Sequence, residues 1–145
     1  MRKYLPLTLL SIVLLSCQKE RLPQPAEEVP ATKTVTFRVY ASKDYSADYY
    51  AQTMADVTLQ LGTIDKRTGI TEVAWDTTFT PRSLVLYPQQ GQMYVVEKTI
   101  SIKESTHSLN AGFIIRYNTN GMRSMEAFGE GLGLGQNSRV LGVHL

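Results

Sequence analysis

From residue 34 onward the chain alternates apolar and polar positions with a period of two. Val35, Phe37, Val39 and Ala41 fall on one side and Thr34, Thr36, Arg38 and Tyr40 on the other, the pattern of a half-buried strand. Val57, Leu59 and Leu61 open a second strand. Residues 65–69 (Asp-Lys-Arg-Thr-Gly) supply a hairpin connection, and Val73, Trp75, Thr77 and Phe79 share one face of the return strand. Trp75, the only tryptophan, is expected in the middle of the core. Residues 83–87 form a short continuous apolar run. Across residues 93–103, Tyr94, Val96, Ile100 and Ile102 are in phase and Lys98 interrupts them. A bulge near residues 97–98, or a lysine whose stem lies along the core, resolves that conflict. Leu109, Ala111, Phe113, Ile115 and Tyr117 make another alternating face. Residues 118–121 (Asn-Thr-Asn-Gly) are the strongest turn signal, because Asn and Gly tolerate the left-handed backbone of tight hairpins. Residues 122–128 return. Alternate glycines over residues 129–135 set Leu132 and Leu134 on one side of a strand, and Leu141, Val143 and Leu145 close the chain in phase.

About eight short strands separated by turn signals, without a long amphipathic helix, predict an all-β domain over residues 34–145. The expected architecture is an antiparallel β-sandwich of immunoglobulin-like or transthyretin-like kind, with a small up-and-down β-barrel as the competitor. Residues 43–55 break the alternation and are rich in tyrosine. Tyr45 and Tyr49 are spaced for a short helix with both rings on one face. With Tyr40 and Tyr50 they form a candidate binding surface for a glycan or protein, since tyrosine offers a large amphipathic area at low entropic cost. The alternative is a packing loop whose rings cap one end of the core.

The N-terminus follows a different rule. Met1-Arg2-Lys3 is followed by an apolar stretch of about a dozen residues and then Ser16-Cys17, the parts of a secretory signal and too short to span a bilayer, which takes roughly 20. Leu14-Leu15-Ser16-Cys17 resembles the lipobox of bacterial lipoproteins. That resemblance implies removal of residues 1–16, lipidation of Cys17 as the mature N-terminus, and a membrane partner reached through the lipid. Residues 17–33, with Pro23, Pro25 and Pro30 among polar side chains, read as a linker. Gln18-Lys19-Glu20 looks like the charged export tracts of Bacteroidota lipoproteins, which implies an outer-membrane address on the cell surface or the periplasmic face.

Charge and chemistry narrow the function. Arg2 and Lys3 account for the whole formal net charge of +2, so the mature chain is neutral and offers no basic face for nucleic acid. Cys17 is the only cysteine, so the fold holds together without an internal disulfide. His107 follows Glu104 by three residues in a polar loop, and His144 points outward on the last strand; neither is expected to bind metal or act as a base. Ser124 lacks the second glycine of a nucleophile elbow, and the 129–135 glycines lack the Lys-Ser/Thr of a phosphate loop. Asp44, Asp48 and Asp56 are not spaced as a calcium loop. No cofactor, metal site or catalytic set is expected. The sequence points to a tethered, non-enzymatic domain that binds an envelope protein or glycan. An assembly subunit pairing through its final strand is the alternative, and a small hydrolase a more remote one.

Overall fold

The computed structural model describes residues 27–145. The expected signal segment, Cys17 and the first part of the expected linker lie outside the described residues. Eight strands make two sheets: β1 (Ala31–Tyr40), β2 (Thr53–Asp65), β3 (Thr71–Thr78), β4 (Arg82–Ser83), β5 (Tyr94–Ile102), β6 (His107–Thr119), β7 (Met122–Leu132) and β8 (Ser138–His144). One sheet has the order β5-β1-β8. The other has the order β3-β2-β6-β7, with β4 pairing to the start of β2. A single helical turn, α1 (Asp48–Ala51), joins β1 to β2. The architecture is an all-β sandwich of two sheets. Every ladder is antiparallel except β1–β8, which is parallel, Thr34 opposing Ser138 and Tyr40 opposing His144. Two sheets with distinct edge strands are not a closed barrel.

The core is the set of side chains the alternation selects. Val35, Phe37 and Val39 from β1 meet Val57, Leu59 and Leu61 from β2, Leu109, Ala111 and Ile115 from β6, and Leu141 and Val143 from β8. At roughly 25 cal/mol per Å² of apolar surface removed from water, this burial is the main force holding a disulfide-free chain together. Tyr87 is buried and donates its hydroxyl to the Ala55 carbonyl at 3.1 Å; burial pushes its phenol up to about 12.

Several positions depart from simple alternation, each for a local reason. The β2–β3 register shifts between Leu61 and Gly62, which oppose Trp75 and Val73 in turn. This bulge at Ala74 puts Trp75 and Val73 on opposite faces. Val73 therefore stands 65% exposed, and Trp75 is half-buried on the flank rather than central, 6.2 Å from the Phe37 ring. Lys98 sits in an unshifted β1–β5 ladder, so its stem lies inward and its Nζ rests 5.7 Å above the Trp75 ring. Residues 83–87 are not a continuous strand: β4 gives way to a 3-10 turn at Leu84–Leu86. β7 ends at Leu132, and Leu134, expected on the same strand, is 81% exposed in the turn to β8. β1 begins at Ala31, earlier than the alternation over 34–42 indicates, and Lys33 is in phase with Val35 inside the sandwich.

Two features shape the β6–β7 hairpin. Asn120 (φ 52°) and Gly121 (φ 88°) carry its tip through the left-handed region. Further along, Gly112 opposes Gly129, and a Cβ on Gly112 would lie 2.3 Å from the Phe128 carbonyl oxygen. Glycine at 112 is what allows the Phe128 carbonyl to come this close. β7 lies at the end of the five-stranded sheet, and its residues 122–129 are exposed on both faces.

Candidate functional site

The outer face of the hairpin and its neighbour β2 carries a groove of about 560 Å³. Cross-strand partners share a face, and the register makes the floor an array of two rows. Met54, Asn118 and Arg123 form the first and Asp56, Arg116 and Met125 the second; Thr58, Ile114 and Ala127 continue the same face beyond the groove. Pro81, in the connection before β4, closes one side. Alternation places these residues outside because Ala55, Val57 and Leu59 between them are buried.

Arg116 is the centre of the array. Its Nη1 donates to Asp56 Oδ1 at 3.1 Å and to Thr58 Oγ1 at 3.2 Å, both on β2. Thr58, 8% exposed, is braced from the other side by the Thr78 hydroxyl at 3.0 Å. Among the described residues, Nη2 and Nε of Arg116 have no partner, and the side chain is 48% exposed. Arg123, diagonal to it, is exposed and makes no hydrogen bond or ion pair among the described residues. Met54 and Met125 are 40% and 63% exposed. The site thus offers one fixed guanidinium, one free guanidinium and thioether walls. Chemically it can hold an anionic group beside an apolar one.

The four tyrosines singled out by sequence do not form one surface. Tyr40 stands on the outer face of the three-stranded sheet, its hydroxyl 2.8 Å from His144 Nε2. Tyr45 is 6% exposed and belongs to the core, where burial pushes its phenol up. It precedes α1 rather than sharing a helix face with Tyr49. Tyr50 is the link: its ring meets Tyr45 edge-on at 4.8 Å and Tyr49 edge-on at 5.1 Å. Lys43 lies over both the Tyr45 and Tyr50 rings. Of the three, only Tyr49 presents most of its ring to solvent, at 70%.

The remaining candidate groups are engaged locally. His107 opposes Asp65 across β2–β6, and its Nδ1 lies 2.8 Å from the Thr106 hydroxyl. Asp65 accepts from the Thr68 and Arg67 N–H groups, which holds its carboxyl below the usual range. Together with Thr63, Ile70 and Glu72 they line a smaller cleft of about 220 Å³. Ser124 lies within β7, not on a strand-to-helix turn. Among the described residues, no three His, Cys, Asp or Glu side chains converge on a metal position. Nor is any helix there long and apolar enough to cross a membrane.

Sequence reasoning missed Arg116 and Arg123. Their signal was present as the polar half of the alternation in β6 and β7, but a charged outward side chain is the ordinary condition of a sheet. Only the register brings them to one groove. Compared with known proteins, the chain matches no family model, no curated protein and no solved structure.

Proposed function

We propose that this is a membrane-tethered, non-enzymatic binding module of the bacterial cell envelope. In this reading a lipid on Cys17 holds it at the outer membrane, on the surface or the periplasmic face, and the groove over β2, β6 and β7 receives a partner. The observation that carries the reading is Arg116, fixed by Asp56 and Thr58 with the rest of its guanidinium open to an apolar-walled trough. A side chain already held in place loses little freedom on binding, which is how preorganised sites gain affinity. The signal segment and the lipobox-like Leu14-Leu15-Ser16-Cys17 support the address.

The test is site-specific photo-cross-linking with the full-length protein in the cells that make it. A benzophenone side chain replaces Met125 in the groove or Val95, which is 58% exposed on the other sheet. A discrete adduct from position 125 and none from position 95 is the expected result. Equal labelling from both positions, or none from either, sinks the reading.

A second reading, an assembly subunit that pairs through an edge strand, is favoured by β7. That strand is an edge of its sheet, carries no proline or register shift, and is exposed over most of its length. Concentration-dependent self-association of the full-length protein, abolished by Ala127→Pro, would favour this reading over the first.

A further inference from the structure

We infer that the groove's ligand is an acidic peptide, an extended protein segment bearing a carboxylate between apolar side chains. The inference rests on the groove being the binding surface and names what fills it.

Charge is the first ground. Arg116 and Arg123 face one internal carboxylate, Asp56, so the floor keeps an excess of positive charge. The two cations are diagonal neighbours across β6–β7, a separation of roughly 7–8 Å between Cα atoms that lets two long side chains converge on one anion. Guanidinium groups bind carboxylates through paired N–H donors, and Arg116 retains free donors on the groove side.

Apolar lining is the second. Met54, Met125 and Pro81 flank the cations. Methionine adapts its shape to aliphatic partners and is favoured on surfaces that bind peptides. A sugar would need an aromatic face for its C–H surface. The one ring lining the groove, Tyr117, is half-buried and packed against the core. A polyphosphate or nucleic acid would need many more cations than two.

Backbone is the third. The groove is bounded by β7, an edge strand whose outer backbone groups have no neighbouring strand among the described residues. An extended segment running along it can take main-chain hydrogen bonds there while alternate side chains reach the arginines and methionines, the usual way strands recognise peptides.

The test uses the full-length protein in detergent and two fluorescein-labelled peptides, Ser-Leu-Thr-Asp-Thr-Leu-Ser and the same sequence with Asn for Asp. An oligo-uronate serves as the glycan probe. Anisotropy titration is expected to give the Asp peptide at least about a tenfold advantage over the Asn peptide. Arg123→Glu should erase that advantage and Arg123→Lys should keep most of it. Arg123 is exposed and unbonded among the described residues, so both variants should match the parent in circular dichroism.

Equal affinity for the two peptides, indifference to Arg123→Glu, preference for the uronate, or no binding of the Asp peptide up to millimolar concentration would each overturn the inference. If position 125 still cross-links a partner while the Asp peptide fails, the groove stands and the ligand class falls. If both fail, both fall.

Discussion

Lys33 Nζ lies 2.5 Å from Glu104 Oε1, and the lysine is 1% exposed. The same ammonium donates to the Gln136 carbonyl at 2.8 Å and the Gly133 carbonyl at 3.3 Å. Glu104 in turn accepts from the Gly135 N–H at 3.2 Å. One buried cation therefore gathers the start of β1, the β5–β6 loop and the β7–β8 turn. Replacing it with methionine keeps the stem but leaves three acceptors without their donor. Lys33→Met should destabilise the protein by about 2–4 kcal/mol in urea unfolding, somewhat below the ~3–5 kcal/mol of a fully buried broken pair because the Glu104 side chain is 20% exposed.

Acid should act through the same contact. The Lys33 ammonium, followed by the Gly135 N–H, holds the Glu104 carboxyl below its usual value of 4.5. The Ser46 and Thr68 N–H groups do the same for Asp44 and Asp65. In the unfolded chain these groups regain ordinary values. Their contribution is complete above the usual carboxylate range and disappears as pH falls through the lowered folded values. Trp75 fluorescence during acid titration should show a higher midpoint for Lys33→Met than for the parent. Identical midpoints would remove Glu104 from the account.

At the alkaline end Tyr87 contributes beside Tyr45 and Tyr117, whose phenols burial also pushes up. The Tyr87 phenol is pushed up to about 12 by burial, so the contribution of the neutral form is intact below 10 and is lost between 10 and about 12. Tyr87→Phe should cost about 1 kcal/mol at neutral pH through the lost bond to the Ala55 carbonyl. It should also flatten alkaline destabilisation in that window. A parent and variant that lose stability in parallel above pH 10 would contradict the assignment.

Gly112→Ala places a methyl group against the Phe128 carbonyl, an approach that requires the backbone to move. A loss of about 1–3 kcal/mol is expected, together with altered amide resonances along β7. Gly91→Ala, where nothing lies within 4 Å of the new atom, is the control.

Trp75→Ala should cost about 2 kcal/mol, less than the 3–5 kcal/mol of a fully buried ring, because one side of the indole faces solvent and the Lys98 ammonium. Val73→Thr, on the exposed face beyond the bulge, should change stability by less than about 0.5 kcal/mol.

Cys17→Ser tests the proposed address. The variant should leave the membrane fraction or retain its leader. Unchanged membrane association with normal cleavage after residue 16 would exclude a lipid on this sulfur.

Alternation exposed most of the core, since Val35, Phe37, Val39, Leu59, Leu61, Ala111, Ile115, Leu141 and Val143 are inside as their phase requires. It failed where one residue changed the count. Ala74 flips Val73 outward, a slip no periodicity reveals because the extra residue becomes visible only against its partner strand. Leu134 was misplaced because alternate glycines fit a strand and a turn equally well. Lys33 falls at the end of the proline-punctuated polar stretch read as a linker, although its phase with Val35 points inward. The groove was the least legible part. It depends on which strands neighbour one another, and strand order is a property of the whole sandwich.

β1 has a further consequence, fixed by its place between β5 and β8. It follows directly from the N-terminal segment, so any tension transmitted along that segment enters the molecule at the middle strand of a sheet. Because the strand is bonded along both sides, drawing it out breaks two ladders instead of one. Under the proposed tether, the strand that first takes the load has a neighbour on each side to share it.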